Sequence, residues 1–195
     1  MPEDAAERLQ AWPRRRCRAS FRAMFGQWLK GIGEALRQTA DASELERVVR
    51  AELRGADEES VLVVSAIVGL LGTIAYADRE YSETEEAKVL EELHRIAGLS
   101  QEGAASIARV LKQHMLEAAT VQAPRYARTL LELADRELRC QVLSVLVGIA
   151  AADEQITTAE TNSLRQLTTA LGLTQTDYNE LQAEHRTRLS VLKNG

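Results

Sequence analysis

Two stretches of this sequence decide its fold: LLGTIAYADREYSETEEAKVLEELHRIAGLS (70–100) and LVGIAAADEQITTAETNSLRQLTTALGLT (146–174). Both contain the pattern I-A-x-A-D-x(6)-E, and the matching positions, such as Asp78 and Asp153, are 75 residues apart (153 − 78). The chain therefore contains two copies of one helix-loop-helix unit. Since two copies are too few for a solenoid, we predict a closed domain in which the units are related by pseudo-twofold symmetry.

The composition favours helices. The chain has 195 residues, of which 45% are hydrophobic and 4% aromatic, and it contains only three prolines. Good helix formers such as Leu, Ala, Glu and Arg are common, and typical strand formers are scarce. This length suffices for one hydrophobic core. We predict an all-α protein with about eight helices, a helical domain at residues 41–195 and an N-terminal arm at residues 1–40.

The predicted arm is basic at first and then amphipathic. Residues 11–23, AWPRRRCRASFRA, contain five arginines. Residues 24–39, MFGQWLKGIGEALRQT, place apolar side chains at helical spacing: Phe25, Trp28, Leu29, Ile32 and Leu36. The basic stretch fits a nucleic-acid arm, an anionic-lipid contact or a solvated tail, and we favour the tail. We expect the arm to be partly disordered, with residues 1–23 dispensable for folding and preceding a start at Met24.

Charge and cysteine content indicate the compartment and exclude one class of partner. The net charge is -5 and the pI is near 5.4, whereas nucleic-acid binding needs a clustered basic face. We therefore expect no nucleic-acid partner. Cys17 and Cys140 form no C-x-x-C or Cys/His spacing and are expected to be thiols in a reducing compartment. No secretory signal pattern is present, so we expect a cytoplasmic protein.

The longest uncharged run, residues 61–77, raises the question of a membrane span. Its seventeen residues fall short of the about 20 that a spanning helix needs. The counterpart in the second copy, residues 138–152, is shorter and contains Arg139. We therefore predict two central buried helices that pack against each other. Gly69 and Gly72, inside the first run, are expected to allow close helix packing.

Local signals predict where the other helices begin. Hydroxyl and carboxylate side chains at the right spacing predict N-caps at the following positions: Asp41 or Ser43, Asp57, Ser82, Ser100, Thr157 and Thr174. Pro124 is expected at the first position of a short helix that ends near Ala134. Gly98 and Gly172 follow helices at the position that favours a left-handed residue.

An acidic pair recurs at the loop of each unit: Asp78 with Glu85, and Asp153 with Glu160. Each glutamate completes an S/T-x-x-E capping box, which explains it without a ligand. Each aspartate lies at a helix C-terminus, where the helix dipole disfavours an anion. Two interpretations are open: an Asx-turn to the N–H two residues on, or a cation held by the aspartate of one helix and the glutamate of the next.

Other chemistry is sparse in this sequence. The three histidines are scattered, lack metal-binding spacing and are expected at surface or boundary positions: His94, His114 and His185. No nucleophile elbow or glycine-rich phosphate loop occurs. We therefore expect a protein that is not an enzyme. A metal-dependent hydrolase using the two carboxylate pairs is the alternative.

The repeated A-D at the loop, the hydroxyl cap and the Glu seven residues after the Asp resemble the TerB family of tellurite-resistance proteins. The N-terminal region of the DjlA co-chaperones shares this pattern, and the resemblance covers roughly residues 55–195. The family pattern usually has glycine after the aspartate, where this chain has Arg79 and Glu154. Because glycine readily adopts a positive φ, this departure argues against a loop that needs one.

The resemblance implies an all-α, non-enzymatic module that acts in the bacterial response to tellurite and other metal-oxide anions. It implies a divalent metal ion, either calcium, magnesium or zinc, held by the acidic positions: Asp78, Glu85, Asp153 and Glu160. It further implies protein partners and a peripheral contact with the inner membrane. The chain has no H-P-D tripeptide of a J-domain. An ion-free module that docks on a membrane-associated or chaperone complex is the alternative to metal binding.

Overall fold

A computed structural model of the chain describes residues 43–79, 81–96, 99–152 and 156–193. Within these ranges the chain forms eight α-helices and no strand, which confirms the all-α prediction. The helices are α1 (Glu44–Glu52), α2 (Glu58–Ala75), α3 (Glu83–His94), α4 (Gln101–Glu117), α5 (Ala123–Leu133), α6 (Arg136–Ala150), α7 (Thr158–Ala170) and α8 (Gln175–Lys193). The predicted arm lies outside the described residues, and the pseudo-twofold relation stays a prediction.

Helix α2 forms the centre of the bundle. It contacts α1, α3, α4, α5, α6 and α7, and residues 63–75 are all buried. By length and composition it is the one helix of the described part that could cross a membrane, with a mean hydropathy of 1.7. Its surroundings are other helices of the same chain, so in this structure α2 is a core helix, as predicted.

Glycines let other helices approach α2 closely. A Cβ atom on Gly69 would lie 2.2 Å from the ring of Tyr126 on α5, and one on Gly72 would lie 2.6 Å from Leu111 on α4. The predicted packing role of these glycines is therefore confirmed. The predicted contact between α2 and α6 also exists, but the contact with α5 is the more extensive one, because the ring fits over a position that has no side chain.

Side-chain caps begin most helices where the sequence predicts them. Ser43, Asp57 and Ser100 each accept a hydrogen bond from the backbone N–H three residues on, at 3.2, 2.8 and 3.0 Å. Asp135 caps α6 in the same way at 2.8 Å. Each such cap satisfies an N–H that the helix cannot pair internally, and contributes about 1 kcal/mol.

The predicted short helix at Pro124 is confirmed as α5, which has Pro124 in its first turn and ends before Ala134. The sequence did not predict how this helix follows α4. A π-helical turn, Ala118–Gln122, joins α4 to α5, and Pro124 lies in the first turn of α5 without a break in the helical backbone. Proline has no N–H to bond a carbonyl of the preceding turn, and its ring crowds that carbonyl. The regular hydrogen-bond pairing is interrupted at the adjoining π-helical turn, so proline is tolerated at the start of α5.

The start of α8 combines a cap with an ion pair. Asp177 accepts hydrogen bonds from the backbone N–H and the hydroxyl of Thr174 at 2.8 and 2.9 Å, and one from Arg136 at 2.7 Å. Burial opposes ionisation of Asp177, but the hydrogen bonds from Thr174 and the charge of Arg136 outweigh it and lower the pKa of this carboxyl. The folded state therefore favours the ionised form of Asp177.

Replacing Asp177 with asparagine is expected to lower the free energy of unfolding by about 1 kcal/mol at neutral pH. Because folding lowers the pKa of Asp177, its stabilising effect is present above the unfolded pKa of about 3.9 and is lost as the pH falls through the folded pKa. Urea unfolding of parent and variant from neutral to acidic pH measures this. Glu180→Gln, at an exposed position of the same helix, is the control. A deficit that stays constant down to the lowest pH would contradict the prediction.

Candidate functional site

The first acidic loop follows the C-terminus of α2. Asp78 is exposed, and Arg79 donates its backbone N–H to the carbonyl of Tyr76 at 3.1 Å. Arg79 has a φ of 69°, so the expectation that the loop lacks a left-handed residue is wrong. Glu80, the expected donor of an Asx-turn, lies outside the described residues, and that turn stays a prediction.

Glu85 lies after the first loop, in the first turn of α3. Its Oε2 atom accepts hydrogen bonds from the backbone N–H and the hydroxyl of Ser82, at 2.9 and 3.0 Å. In return the N–H of Glu85 donates to Oγ of Ser82 at 3.1 Å. The predicted capping box is therefore confirmed. Glu85 is only 5% exposed, so this carboxylate is held in one orientation at the edge of the core.

The second unit repeats this arrangement at its glutamate. Oε2 of Glu160 accepts the N–H of Thr157 at 2.6 Å, and the N–H of Glu160 donates to Oγ1 of Thr157 at 3.1 Å. Glu160 is 4% exposed, as buried as Glu85. Its partner in the predicted site, Asp153, lies outside the described residues. The second carboxylate pair therefore stays a prediction.

The surroundings of the first loop are electronegative. Burial raises the pKa of the Tyr81 hydroxyl, and the nearby charges of Glu86 and Glu85 raise it further. Lys112 of α4 reaches this loop: its Nζ lies 2.6 Å from Oε2 of Glu86 and 5.6 Å from the ring centroid of Tyr81. A cation of the protein thus already balances part of the negative charge. Sequence reasoning missed this lysine, because no local pattern relates α4 to the loop.

The number of donors limits what the loop could bind. Among the described residues, no group of three or more His, Cys, Asp or Glu side chains is placed to hold a metal ion. A cation at this loop would therefore depend on Asp78 and Glu85 together with water or backbone oxygens. Such a site resembles those of Mg²⁺, which keeps several waters and uses one or two carboxylates.

The histidines contribute nothing to this loop. His94 and His114 are exposed, and His185 is half-buried with Nε2 3.3 Å from the hydroxyl of Ser144. These are the surface and boundary positions that the sequence predicts. The candidate site is consequently built from oxygen donors alone.

Replacing Arg79 with glycine is expected to raise the free energy of unfolding by about 1 kcal/mol. A left-handed backbone costs a residue with a Cβ atom roughly 1–2 kcal/mol, and glycine relieves this strain. The larger conformational entropy of glycine in the unfolded chain cancels only part of the stabilisation. Urea unfolding measures the difference. Arg79→Ala removes the same charge but keeps the Cβ atom, and should give no gain. Equal stability of the glycine and alanine variants would show that the backbone at this position is not strained.

A comparison with protein families identifies the family of this chain. A family model described as tellurite resistance protein TerB matches residues 64–183, more than half of the chain. The match begins in α2 and ends in α8, so that both capped glutamates lie within it. A comparison with curated proteins and one with solved structures each find no significant match.

Proposed function

Because this chain belongs to the TerB family of tellurite resistance proteins, we propose that it is a non-enzymatic helical module that binds a divalent cation through its paired carboxylates. We further propose that it acts in a bacterial response to tellurite and related metal stress. The observation that supports cation binding best is the backbone of the first loop. Arg79 has a φ of 69°, the conformation that a glycine supplies in the family pattern. The loop of this chain thus has a left-handed residue at the position where glycine would favour one.

The donor chemistry favours a hard cation. Asp78 and Glu85 would supply carboxylate oxygens, which suit Mg²⁺ and Ca²⁺, whereas Zn²⁺ sites in proteins are rich in His and Cys. The two hydrogen bonds from Ser82 fix the orientation of Glu85, as outer-shell partners do for metal ligands. A bound cation would also reduce the negative charge near Tyr81. Asp153 and Glu160 would form the corresponding pair in the second unit.

Elemental analysis of the purified protein, followed by thermal melts with Mg²⁺, Ca²⁺, Zn²⁺ and EDTA, tests this proposal. An ion at about 100 times its dissociation constant stabilises the folded state by about 2.7 kcal/mol. We expect Mg²⁺ or Ca²⁺ to raise the melting temperature and EDTA to reverse the effect. Asp78→Asn should weaken binding about tenfold or more, because it removes a charged ligand while preserving shape.

Glu83→Gln is the matched control, since Glu83 is exposed and lies at the start of α3. It removes one negative charge near the loop and should leave ion binding unchanged. If Asp78→Asn and Asp153→Asn both bind every tested ion as the parent does, the acidic residues serve only as caps and turns.

That outcome would favour an ion-free interaction module that docks on a membrane-associated or chaperone complex. The capping boxes support this second candidate, because they account for Glu85 and Glu160 without a ligand. A metal-dependent hydrolase has no such support, since two-metal catalysis needs clustered ligands around both ions. For either module we propose protein partners, a cytoplasmic location and a peripheral contact with the inner membrane.

A further inference from the structure

A cleft of about 410 Å³ opens between α1, α4, the π-helical turn and the start of α5. Its floor is apolar and buried: Leu45, Leu111, Ala118 and Tyr126. Its rim is polar and includes Ser43, Glu44, Arg47 and Gln113. This volume falls within the range of about 300–1,000 Å³ that is typical of ligand pockets. We refer to it as the α1–α4 cleft.

The two formally charged residues of the rim offset each other. Glu44 and Arg47 pair with each other at 2.8 Å, so together they present no net charge to the cleft. On the adjoining π-helical turn, Val121 is 67% exposed. An apolar floor with a neutral polar rim suits the apolar face of an amphipathic helix, which inserts side chains at helical spacing into a groove.

The chain itself supplies such a segment beside the cleft. The described structure begins at Ser43, which is one of the residues that line the cleft. Residues 24–39, here called the N-terminal segment, precede it and place apolar side chains at helical spacing: Phe25, Trp28, Leu29, Ile32 and Leu36. Leu36 and Ser43 are seven positions apart (43 − 36), over which an extended chain reaches up to about 23 Å. The N-terminal segment can therefore fold back onto the cleft.

We propose that the apolar face of the N-terminal segment docks into the α1–α4 cleft of the same molecule. The linking chain is short, so the effective concentration of the segment at the cleft is high. Docking covers the apolar floor of the cleft.

The tryptophans of the chain provide a direct test. There are two, Trp12 and Trp28, and both precede the described residues. In the full chain with Trp12→Phe, Trp28 is the only tryptophan, and its emission and acrylamide quenching report whether it is buried. We expect a blue-shifted emission and protection from acrylamide. Val110→Glu, which puts a carboxylate on the cleft wall, should weaken docking at least about tenfold, because burying an unpaired charge is costly.

Leu131→Glu is the matched control, because Leu131 is 45% exposed on α5 and does not line the cleft. It should leave the emission of Trp28 unchanged. Circular dichroism checks that Val110→Glu folds. If it does not, Leu29→Asp makes the same test from within the N-terminal segment and should expose Trp28. A solvent-exposed Trp28 in the parent, or protection that survives both substitutions, would overturn the proposal.

Two further outcomes would also overturn it by identifying another occupant. Protection that is lost on dilution, with a dimer in sedimentation analysis, would show that the segment docks on a second copy. Protection that appears only with vesicles containing anionic lipid would show that it binds a membrane surface. These outcomes are distinct from those of the metal titration, because tryptophan emission reports on the segment and not on the acidic loops.

Discussion

Replacing Gly69 with alanine is expected to lower the free energy of unfolding by about 3 kcal/mol, near the upper end of the usual cost of overpacking a core. The added Cβ atom would lie 2.2 Å from the ring of Tyr126, far inside contact distance. Tyr126 is 3% exposed and packs directly on α2, so either its ring must move toward the space between α1 and α4 or α2 must separate from α5. Chemical unfolding of parent and variant measures the loss.

Gly148→Ala is the matched control for this substitution, because Gly148 lies inside α6, the other apolar helix of the repeat. There the added Cβ atom would lie 3.1 Å from half-buried His185, which can shift toward solvent. We expect no loss and a gain of up to about 1 kcal/mol from helix propensity. Tyr126→Leu should restore part of the stability lost in Gly69→Ala, since neighbouring substitutions couple. A Gly69→Ala variant as stable as the parent would contradict the proposed contact.

Replacing Gly172 with alanine is expected to cost about 2 kcal/mol. Gly172 ends α7 with a φ of 65°, and the N–H of Leu173 bonds the carbonyl of Thr168 at 3.0 Å, as in a Schellman motif. A left-handed alanine costs roughly 1–2 kcal/mol. Its Cβ atom would also lie 2.8 Å from Nη1 of Arg139, and would displace this guanidinium from the carbonyl of Leu171, to which it donates.

Gly55→Ala separates backbone strain from this clash. Gly55 also has a positive φ, 83°, but nothing lies within 4 Å of an added Cβ atom. It should therefore show the conformational cost alone. Thermal or urea unfolding of both variants gives the difference between them. If Gly172→Ala costs no more than Gly55→Ala, the close contacts of the added Cβ atom with Arg139 and Leu131 have no influence on stability.

The sequence predicts helix starts well, because a cap involves residues only three positions apart. Ser82 and Thr157 form the expected capping boxes with their glutamates. The burial of α2 follows from its composition. The choice of α5 as the closest neighbour of α2 does not, because it depends on the fit between Gly69 and Tyr126, which are far apart in the sequence.

In the candidate site too, contacts between nearby residues are predictable from the sequence, and contacts between distant residues are not. The repeat identifies Asp78 and Glu85 by sequence alone, since both belong to one loop. The contact of Lys112 with Glu86 comes from another helix, and no local pattern predicts it. The absence of glycine at position 79 predicted a loop without a left-handed residue, and this prediction was wrong. The preference of glycine for positive φ describes only an average cost for other residues. The surrounding turn, with the bond from Arg79 to Tyr76, holds this residue in the less favoured region.

The π-helical turn between α4 and α5 has a consequence for how this chain can change length in evolution. In such a turn the hydrogen bonds span one residue more than in an α-helix, so an additional residue is absorbed locally. Helix α4, helix α5 and the turn between them all contact α2. A one-residue deletion at Val121 should therefore be tolerated far better than one within α2, where it would turn the following side chains by about 100°. Single-residue insertions and deletions among relatives of this chain should concentrate at this turn.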